Sequence, residues 1–265
     1  MKHTDILIIG GGPAGVVAAV TARKNNPTKS ITLIREHKKV VIPCGIPYIF
    51  NRLNSVEKNR MPDTPLELNK INLMIDRVTK IDTRKKIVFL NSRKKVGYDK
   101  LILATGSEPI LVPIKGIEKK GVWQIKKDFL HLKRLRRAVL ESKNIVIIGG
   151  GFIGVELAEE LSNIKNLRVS IIERLDHCLI TTFDKEFAVA AEEKLKQKGV
   201  RIYSNATVEE IIGKDKVKSI KLSNGARIPA DLVILSIGAR PNVSIAREAG
   251  IQMGKYNGIW VDEYM

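Results

Sequence analysis

The run Asp5-Ile-Leu-Ile-Ile-Gly10-Gly-Gly-Pro-Ala-Gly15 and its near copy Asn144-Ile-Val-Ile-Ile-Gly149-Gly-Gly-Phe-Ile-Gly154 constrain the chain more than any other feature. In each, a mostly β-branched apolar run of strand length meets Gly-x-Gly-x-x-Gly and then a helical, apolar run. The three glycines have separate duties. Gly10 allows the sharp turn, Gly12 lets a pyrophosphate approach the backbone, and Gly15 lets the helix lie close to the strand, so that phosphate meets the helix's positive end beside Pro13 and Ala14. Gly149, Gly151 and Gly154 repeat the pattern, with Phe152 and Ile153 in the variable places. A strand before and a helix after are the context that makes a glycine motif a dinucleotide cradle. Two such units predict an α/β chain with two Rossmann-like dinucleotide-binding domains.

Such a cradle wants an acidic residue at the end of the second strand to accept ribose hydroxyls. After the first cradle the strand Ser30–Arg35 ends on Arg35, with Glu36 one residue later. Either Glu36 reaches the ribose from a shifted strand end, or the contact is lost and both charges face solvent. After the second cradle the strand Arg168–Glu173 ends on an acid, Glu173, which stands 19 residues beyond Gly154, near the expected spacing. Glu173 disfavours a 2′-phosphate and so favours NADH, while Arg174 beside it leaves NADPH open.

Cys44 lies in Pro43-Cys-Gly-Ile-Pro47-Tyr, soon after the first cradle. Pro47 suits the first turn of a helix, which would put Cys44 just ahead of a helix N-terminus, where the dipole favours thiolate. An isolated cysteine is by default an inert core residue; this setting points to a reactive one. Cys178, in the loop beyond Glu173, reads as structural or merely exposed. Two cysteines make no disulfide framework.

Pro62 and Pro65 exclude a long helix from residues 55–70. Alternation over Ile71–Ile81 and Lys86–Leu90 predicts short antiparallel strands, in which Val78 is either core or an apolar wall for an adenine. Tyr98–Leu103 is a further buried strand running into Ala104-Thr105-Gly106. Asp128–Leu140 is an amphipathic helix with basic residues outward, and Phe183–Lys198 a second. Strands are expected over 200–203, 207–212, 217–222 and 232–235, with Ser223-Asn224-Gly225 as a hairpin turn.

The net charge of +18 raises the question of nucleic acid. The basic residues are scattered, without interleaved aromatics or a recognition-helix motif, and no nucleic-acid partner is expected. No run approaches the length of a membrane span and no signal-peptide pattern opens the chain, so a cytoplasmic protein without a membrane partner is expected. No metal-ligand set is apparent.

Two cradles, the Ala104-Thr105-Gly106 strand end, a Gly238-Ala-Arg240-Pro241 exit and a single cysteine after the first cradle resemble the FAD-dependent pyridine nucleotide-disulfide oxidoreductases. Pro-Cys-Gly-Ile-Pro-Tyr is similar to the coenzyme A disulfide reductase and NADH oxidase branch. The resemblance implies an FAD-binding domain (residues 1–112), an NAD(H)-binding domain inserted into it (113–242) and a return to the FAD domain (243–265). It implies that the first cradle holds FAD, with Val78 and Ala104 to Gly106 lining its adenosine side and Arg35 standing where a flavin-binding glutamate is usual. The second cradle would hold NADH, with Gly238 near the nicotinamide, Phe152 in the place of an aromatic gate and Glu156 in the place of a glutamate near the flavin. Cys44 would be the catalytic thiol, acting on a small thiol disulfide, a persulfide, peroxide or oxygen. Val40-Val-Ile-Pro43 replaces the branch's Ser-Phe-x-Asn, leaving Arg23 and Lys24 as candidate contacts for coenzyme A phosphates. The family is homodimeric, and its C-terminal flavin-contacting motif and dimerisation domain are expected to be missing here. Flavin reduction coupled to a carrier such as rubredoxin, and a non-catalytic nucleotide-binding remnant, are the alternatives.

Overall fold

Alternation of side chains along a strand sends successive residues to opposite faces, so an apolar run with no polar break must be covered on both. The computed structural model, which describes residues 1–265, bears this out twice, in two units. The first comprises Met1–Ile42, Arg60–Glu108 and Arg240–Met265. Its strands are β1 (Lys2–Ile9), β2 (Ile31–Arg35), β3 (Asn72–Ile75), β4 (Val78–Asp82), β5 (Ile87–Leu90) and β6 (Lys95–Leu103), with helices α1 (Pro13–Asn25) and α2 (Thr64–Leu68). The sheet order is β3-β2-β1-β6-β5-β4. β1 is parallel to both β2 and β6, and the β4–β5–β6 end is antiparallel. Leu7 and Ile9 enter one core with Ile34, Val88 and Tyr98, while Ile8 enters the opposite one with Val16 and Ala19 of α1.

The expected strand over Ile71–Ile81 is two elements. β3 pairs in parallel with β2, and Asp76 and Arg77 break the run before β4 pairs antiparallel with β5. The break has a hydrogen-bonding cause: Asp76 donates its N–H to the Arg35 carbonyl at 2.9 Å, and its carboxylate accepts from Arg77 N–H at 2.8 Å.

The pair β7 (Ser107–Pro109) and β16 (Ala239–Pro241) forms a two-stranded ribbon, and α6 (Ser244–Glu248) follows it. Along the chain the second unit, Pro109–Ala239 with Pro43–Asn59, is inserted in the first. Its elements are β8 (Val122–Gln124), α3 (Phe129–Leu140), β9 (Asn144–Ile148), α4 (Phe152–Ser162), β10 (Arg168–Ile172), α5 (Lys185–Gln197), β11 (Arg201–Tyr203), β12 (Val208–Ile212), β13 (Ser219–Leu222), β14 (Arg227–Pro229) and β15 (Leu232–Leu235). The five-stranded sheet β11-β10-β9-β15-β8 is parallel throughout, and β12-β13-β14 is a separate antiparallel sheet. The expected α/β class with two dinucleotide-type folds is therefore present. Neither β8 nor α6 was expected; both are too short to carry a period. α5 begins at Lys185 rather than Phe183, because Asp184 takes extended N-cap backbone. No helix is long and apolar enough to cross a membrane.

The Cys44 segment departs from the expectation. Pro43–Gly45 and Pro47–Ile49 are single 3-10 turns, with no α-helix after them. Pro47 stands at the head of the second turn, but the N–H groups that follow it close on carbonyls three residues back, Ile49 on Ile46 and Phe50 on Pro47, which is 3-10 rather than α geometry. The dipole of a regular helix is therefore absent beside Cys44.

Candidate functional site

Both glycine loops are built by the same bonds. Gly10 N–H donates to the Ile34 carbonyl and Gly149 N–H to the Ile172 carbonyl, each at 2.9 Å. Gly12 and Gly151 are the N-caps of α1 and α4, and Val16 and Val155 donate back to them at 3.0 Å. Gly10 (φ +114°) and Gly149 (φ +104°) hold left-handed backbone that a side chain would strain. A Cβ at Gly15 would stand 2.0 Å from the Gly10 carbonyl oxygen, and one at Gly154 equally 2.0 Å from that of Gly149. At Gly12 and Gly151 a Cβ would meet nothing within 4 Å. The first and third glycines close the turn, and the middle one faces open space. Pro13, Ala14, Phe152 and Ile153 are exposed at the two helix starts. That arrangement suits a pyrophosphate in both loops.

The first loop's surroundings differ from the expectation. Arg35 is 4% exposed and packs across the loop, its Cδ 2.5 Å from where a Gly11 Cβ would be. Its guanidinium grips both oxygens of Asp63, at 2.6 and 2.9 Å, and donates to the Lys38 carbonyl at 2.7 Å. It is a structural ion pair under the loop. Glu36 is exposed beyond it. Val78 belongs to the core, packed with Leu7, Ile34 and Leu90. The Ala104 carbonyl lies 2.0 Å from where a Gly10 Cβ would be; Thr105 Oγ1 donates to the Asn242 carbonyl at 2.6 Å, and Gly106 accepts from Asn242 N–H at 2.9 Å. Arg23 is not available to phosphate, because its guanidinium donates to the main-chain carbonyls of Asn26, Pro27, Lys29, Asn69 and Lys70.

The second loop opens on a cavity of about 750 Å³ in its own unit, lined by Gly149 to Ile153, Glu173 to Leu175, His177 and Ser236 to Gly238 among others. It lies at the carboxyl ends of the parallel strands, where such sheets bind ligands. Glu173 anchors the wall: Oε2 accepts from Gly150 N–H at 2.6 Å and Oε1 from Leu175 N–H at 2.8 Å. Ser236 Oγ is buried without a partner in the lining. Phe152, about half exposed, meets Phe183 edge to face at 5.5 Å. Gly238 (φ +114°) accepts from Ile110 N–H at 3.0 Å. Burial, with the neighbouring Glu159, raises the carboxyl pKa of Glu156.

Beneath this loop Cys178 is fully buried, its Sγ 2.6 Å from where a Gly150 Cβ would be. Burial, with Glu192 and Glu173, pushes its thiol pKa up to about 12. The structural expectation for Cys178 is therefore the right one. Glu192, 3% exposed, accepts from Cys178 N–H at 2.8 Å and lies 3.3 Å from His177 Nδ1. Sequence reasoning missed Glu192 and His177. The signal was there, an acid in the buried Ala188–Leu195 stripe of α5. Cys44 is exposed, and both cysteines are free.

Two α/β units, each with a strand–glycine loop–helix fit for a dinucleotide phosphate, define a nucleotide-dependent oxidoreductase class of fold. The chain belongs to the pyridine nucleotide-disulphide oxidoreductase family, whose pattern matches residues 4–265. It is 32% identical over 275 residues to the CoA-dependent NAD(P)H sulfur oxidoreductase of Pyrococcus abyssi, covering 98% of this chain and 59% of that one. It is 31% identical to the rubredoxin-NAD(+) reductase of Pseudomonas putida, covering 98% of this chain and 68% of the relative. The NAD-dependent persulfide reductase of A. fulgidus superposes with a TM-score of 0.90 at 33% identity, covering 98% of this chain and 51% of that structure. The family is one of NAD(P)H oxidoreductases that FAD and a nicotinamide nucleotide serve.

Proposed function

We propose that this chain carries the nucleotide-binding and thiol parts of a flavin-dependent NAD(P)H oxidoreductase whose substrate is a disulfide or persulfide of a small thiol. The observation that carries the reading is the exposed free thiol of Cys44 in a chain whose two glycine loops both leave their middle glycine open to a phosphate.

In this reading the first loop, with Gly12 and the start of α1, holds the pyrophosphate of FAD. The second, with Gly151 and the start of α4, holds that of NADH. When bound, the flavin would supply the relay, accepting hydride from the nicotinamide and giving the electron pair to sulfur. The protein's share is orientation and thiol chemistry. Glu173 keeps its second lone pairs for the ribose hydroxyls while its first hold Gly150 and Leu175, which favours NADH over NADPH. Cys44 attacks the sulfur–sulfur bond of the substrate, forming a mixed disulfide and releasing one thiolate.

The test is the absorption spectrum of the purified chain with FAD, before and after NADH, followed by turnover of a thiol disulfide. A yellow protein bleached by NADH, with turnover abolished in Cys44→Ser, is the expected result. A colourless protein whose melting temperature moves with NADH alone would make it a nucleotide-binding remnant. Rubredoxin reduction is the second reading, favoured by the 68% of the rubredoxin reductase's length that this chain matches. It predicts turnover that survives Cys44→Ser.

A further inference from the structure

We infer that Glu160 and Arg136 are positioning residues for Cys44, fastening its segment to the helix that starts at the second glycine loop and to the helix before it. The inference rests on the reading of Cys44 as the working thiol.

The Pro43–Asn59 segment has almost no ladder of its own. Around Cys44 its turns close through bonds of 3.2 to 3.4 Å, from Ile46, Ile49 and Phe50 N–H to the carbonyls three residues back, with shorter bonds only further on, from Leu53 N–H to the Tyr48 carbonyl at 2.8 Å and from Asn59 N–H to that of Val56 at 3.1 Å. Backbone groups left over must find partners elsewhere. Two are held by side chains of the second unit. Glu160, 1% exposed on α4, accepts the Arg52 main-chain N–H on Oε2 at 2.9 Å. Its Oε1 lies 3.4 Å from the Arg52 guanidinium without forming a hydrogen bond, and that guanidinium stays mostly in solvent, over the Tyr48 ring at 4.9 Å. On α3, Arg136 donates Nε to the Ile49 carbonyl at 3.0 Å and its terminal nitrogen to Asn54 Oδ1.

A buried carboxylate whose counter-charge is largely hydrated is costly, and an apolar residue would fill that place on α4 more cheaply. What the carboxylate does is hold a main-chain amide of the Cys44 segment. At the other end of the segment Asn59, 2% exposed, stands against Gly45, with Oδ1 1.9 Å from where a Cβ would be. The segment after Cys44 is thus held at residues 49, 52 and 54, and Gly45 beside the thiol is packed against Asn59. Glu160 lies eight residues beyond Phe152 on α4, roughly 12 Å along one rigid helix. The same element offers its N–H groups to a nucleotide and fixes where the thiol segment sits.

The experiment uses the full chain, with peptide-level hydrogen exchange over residues 43–59 and the rate of Cys44 alkylation by iodoacetamide as readouts. Buried Cys178 stays silent in the second. Glu160→Ala should speed exchange of the segment on the order of tenfold and raise the alkylation rate with it. Glu160→Gln, which keeps an oxygen for Arg52 N–H, should restore both to near the parent values. Arg136→Gln, on the helix surface, should move both in the same direction by less and decides the matter if Glu160→Ala does not fold. Unchanged exchange and alkylation in cooperatively melting Glu160→Ala and Arg136→Gln proteins would overturn the inference, as would Glu160→Gln behaving like Glu160→Ala. Disulfide turnover that survives Cys44→Ser would sink the thiol reading alone and leave these rates standing.

Discussion

The two glycine loops share a backbone and differ in what lies under them. Beneath the second, an acid at the strand end, Glu173, bonds the loop amide of Gly150 and faces a cavity. Beneath the first, the equivalent strand end supplies Arg35, whose stem covers Gly11 and whose charge is spent on Asp63. The comparison teaches that backbone and strand-end chemistry are separable. The turn itself depends on its first and third glycines, whereas the side chain at the strand end can be an acid that bonds the loop amide or an arginine held in an ion pair.

The shared part gives the largest expected effect. Gly15→Ala and Gly154→Ala each drive a Cβ to 2.0 Å from a carbonyl oxygen, so both should cost about 3 kcal/mol or more. Gly12→Ala and Gly151→Ala meet nothing, at φ of −76° and −74°, and should leave stability within about 0.5 kcal/mol while weakening nucleotide binding. Denaturant midpoints beside FAD and NADH titrations check this. A middle-glycine variant that binds as the parent does would break the phosphate reading of its loop.

The unshared part comes next. Arg35→Met strips a buried bidentate pair and leaves Asp63 with only Arg60, 4.0 Å away, so it should destabilise by about 2 to 4 kcal/mol. Glu173→Ala leaves the Gly150 and Leu175 amides unpaired, which should cost about 1 to 2 kcal/mol, and on our reading it lowers NADH affinity about tenfold. Arg35 should act on stability alone, and Glu173 on both stability and binding. If Glu173→Ala loses stability and keeps its affinity, the two loops are alike after all.

The glycine loops and the buried strands that run into them were legible because each is written locally, as an apolar run ended by glycine; the order of the strands in each sheet was not, since pairing joins distant segments. Arg35 was legible as an anomaly but not as an ion pair, since Asp63 lies 28 residues on. The Cys44 turn misled because a proline at the head of a turn is as compatible with a 3-10 turn as with an α-helix, and no local pattern after Pro47 decides between them. Glu192 and Glu160 were missed because their partners, Cys178 and Arg52, come from distant segments, and only the oddity of an acid in an apolar stripe hints at them.

The thiols sharpen the contrast between an exposed group and one sealed beneath a loop. Iodoacetamide should modify Cys44 in the native protein and Cys178 only after unfolding, because burial and two acids keep Cys178 protonated with a pKa of about 12. Mass spectrometry of the singly labelled chain checks it. Native labelling of Cys178 would mean that the floor of the second loop opens.

The smallest effect concerns the opposite ends of the two sheets, where each unit uses an aspartate to tie strand starts together. Asp5 accepts from Ser30 N–H at 2.7 Å in the first, and Asp231 from Lys143 and Asn144 N–H at 3.0 and 2.7 Å in the second. For Asp231 burial pushes the carboxyl pKa up, but those amides, the Asn144 side chain and Lys216 outweigh it and leave it below its ordinary 3.8. A carboxylate with a depressed folded pKa adds stability that is complete above the unfolded value and lost as pH falls through the folded one. Asp231→Asn should therefore cost on the order of 1 kcal/mol at neutral pH, and the gap to the parent should close as pH falls below about 4. Asp5, half-buried, is also held below its ordinary value, first by the Ser30 hydroxyl and then by Lys29. A gap for Asp231→Asn that stays constant down to acid pH would show that the shape of the carboxyl group and its bonds to the amides, not its charge, join β15 to β9.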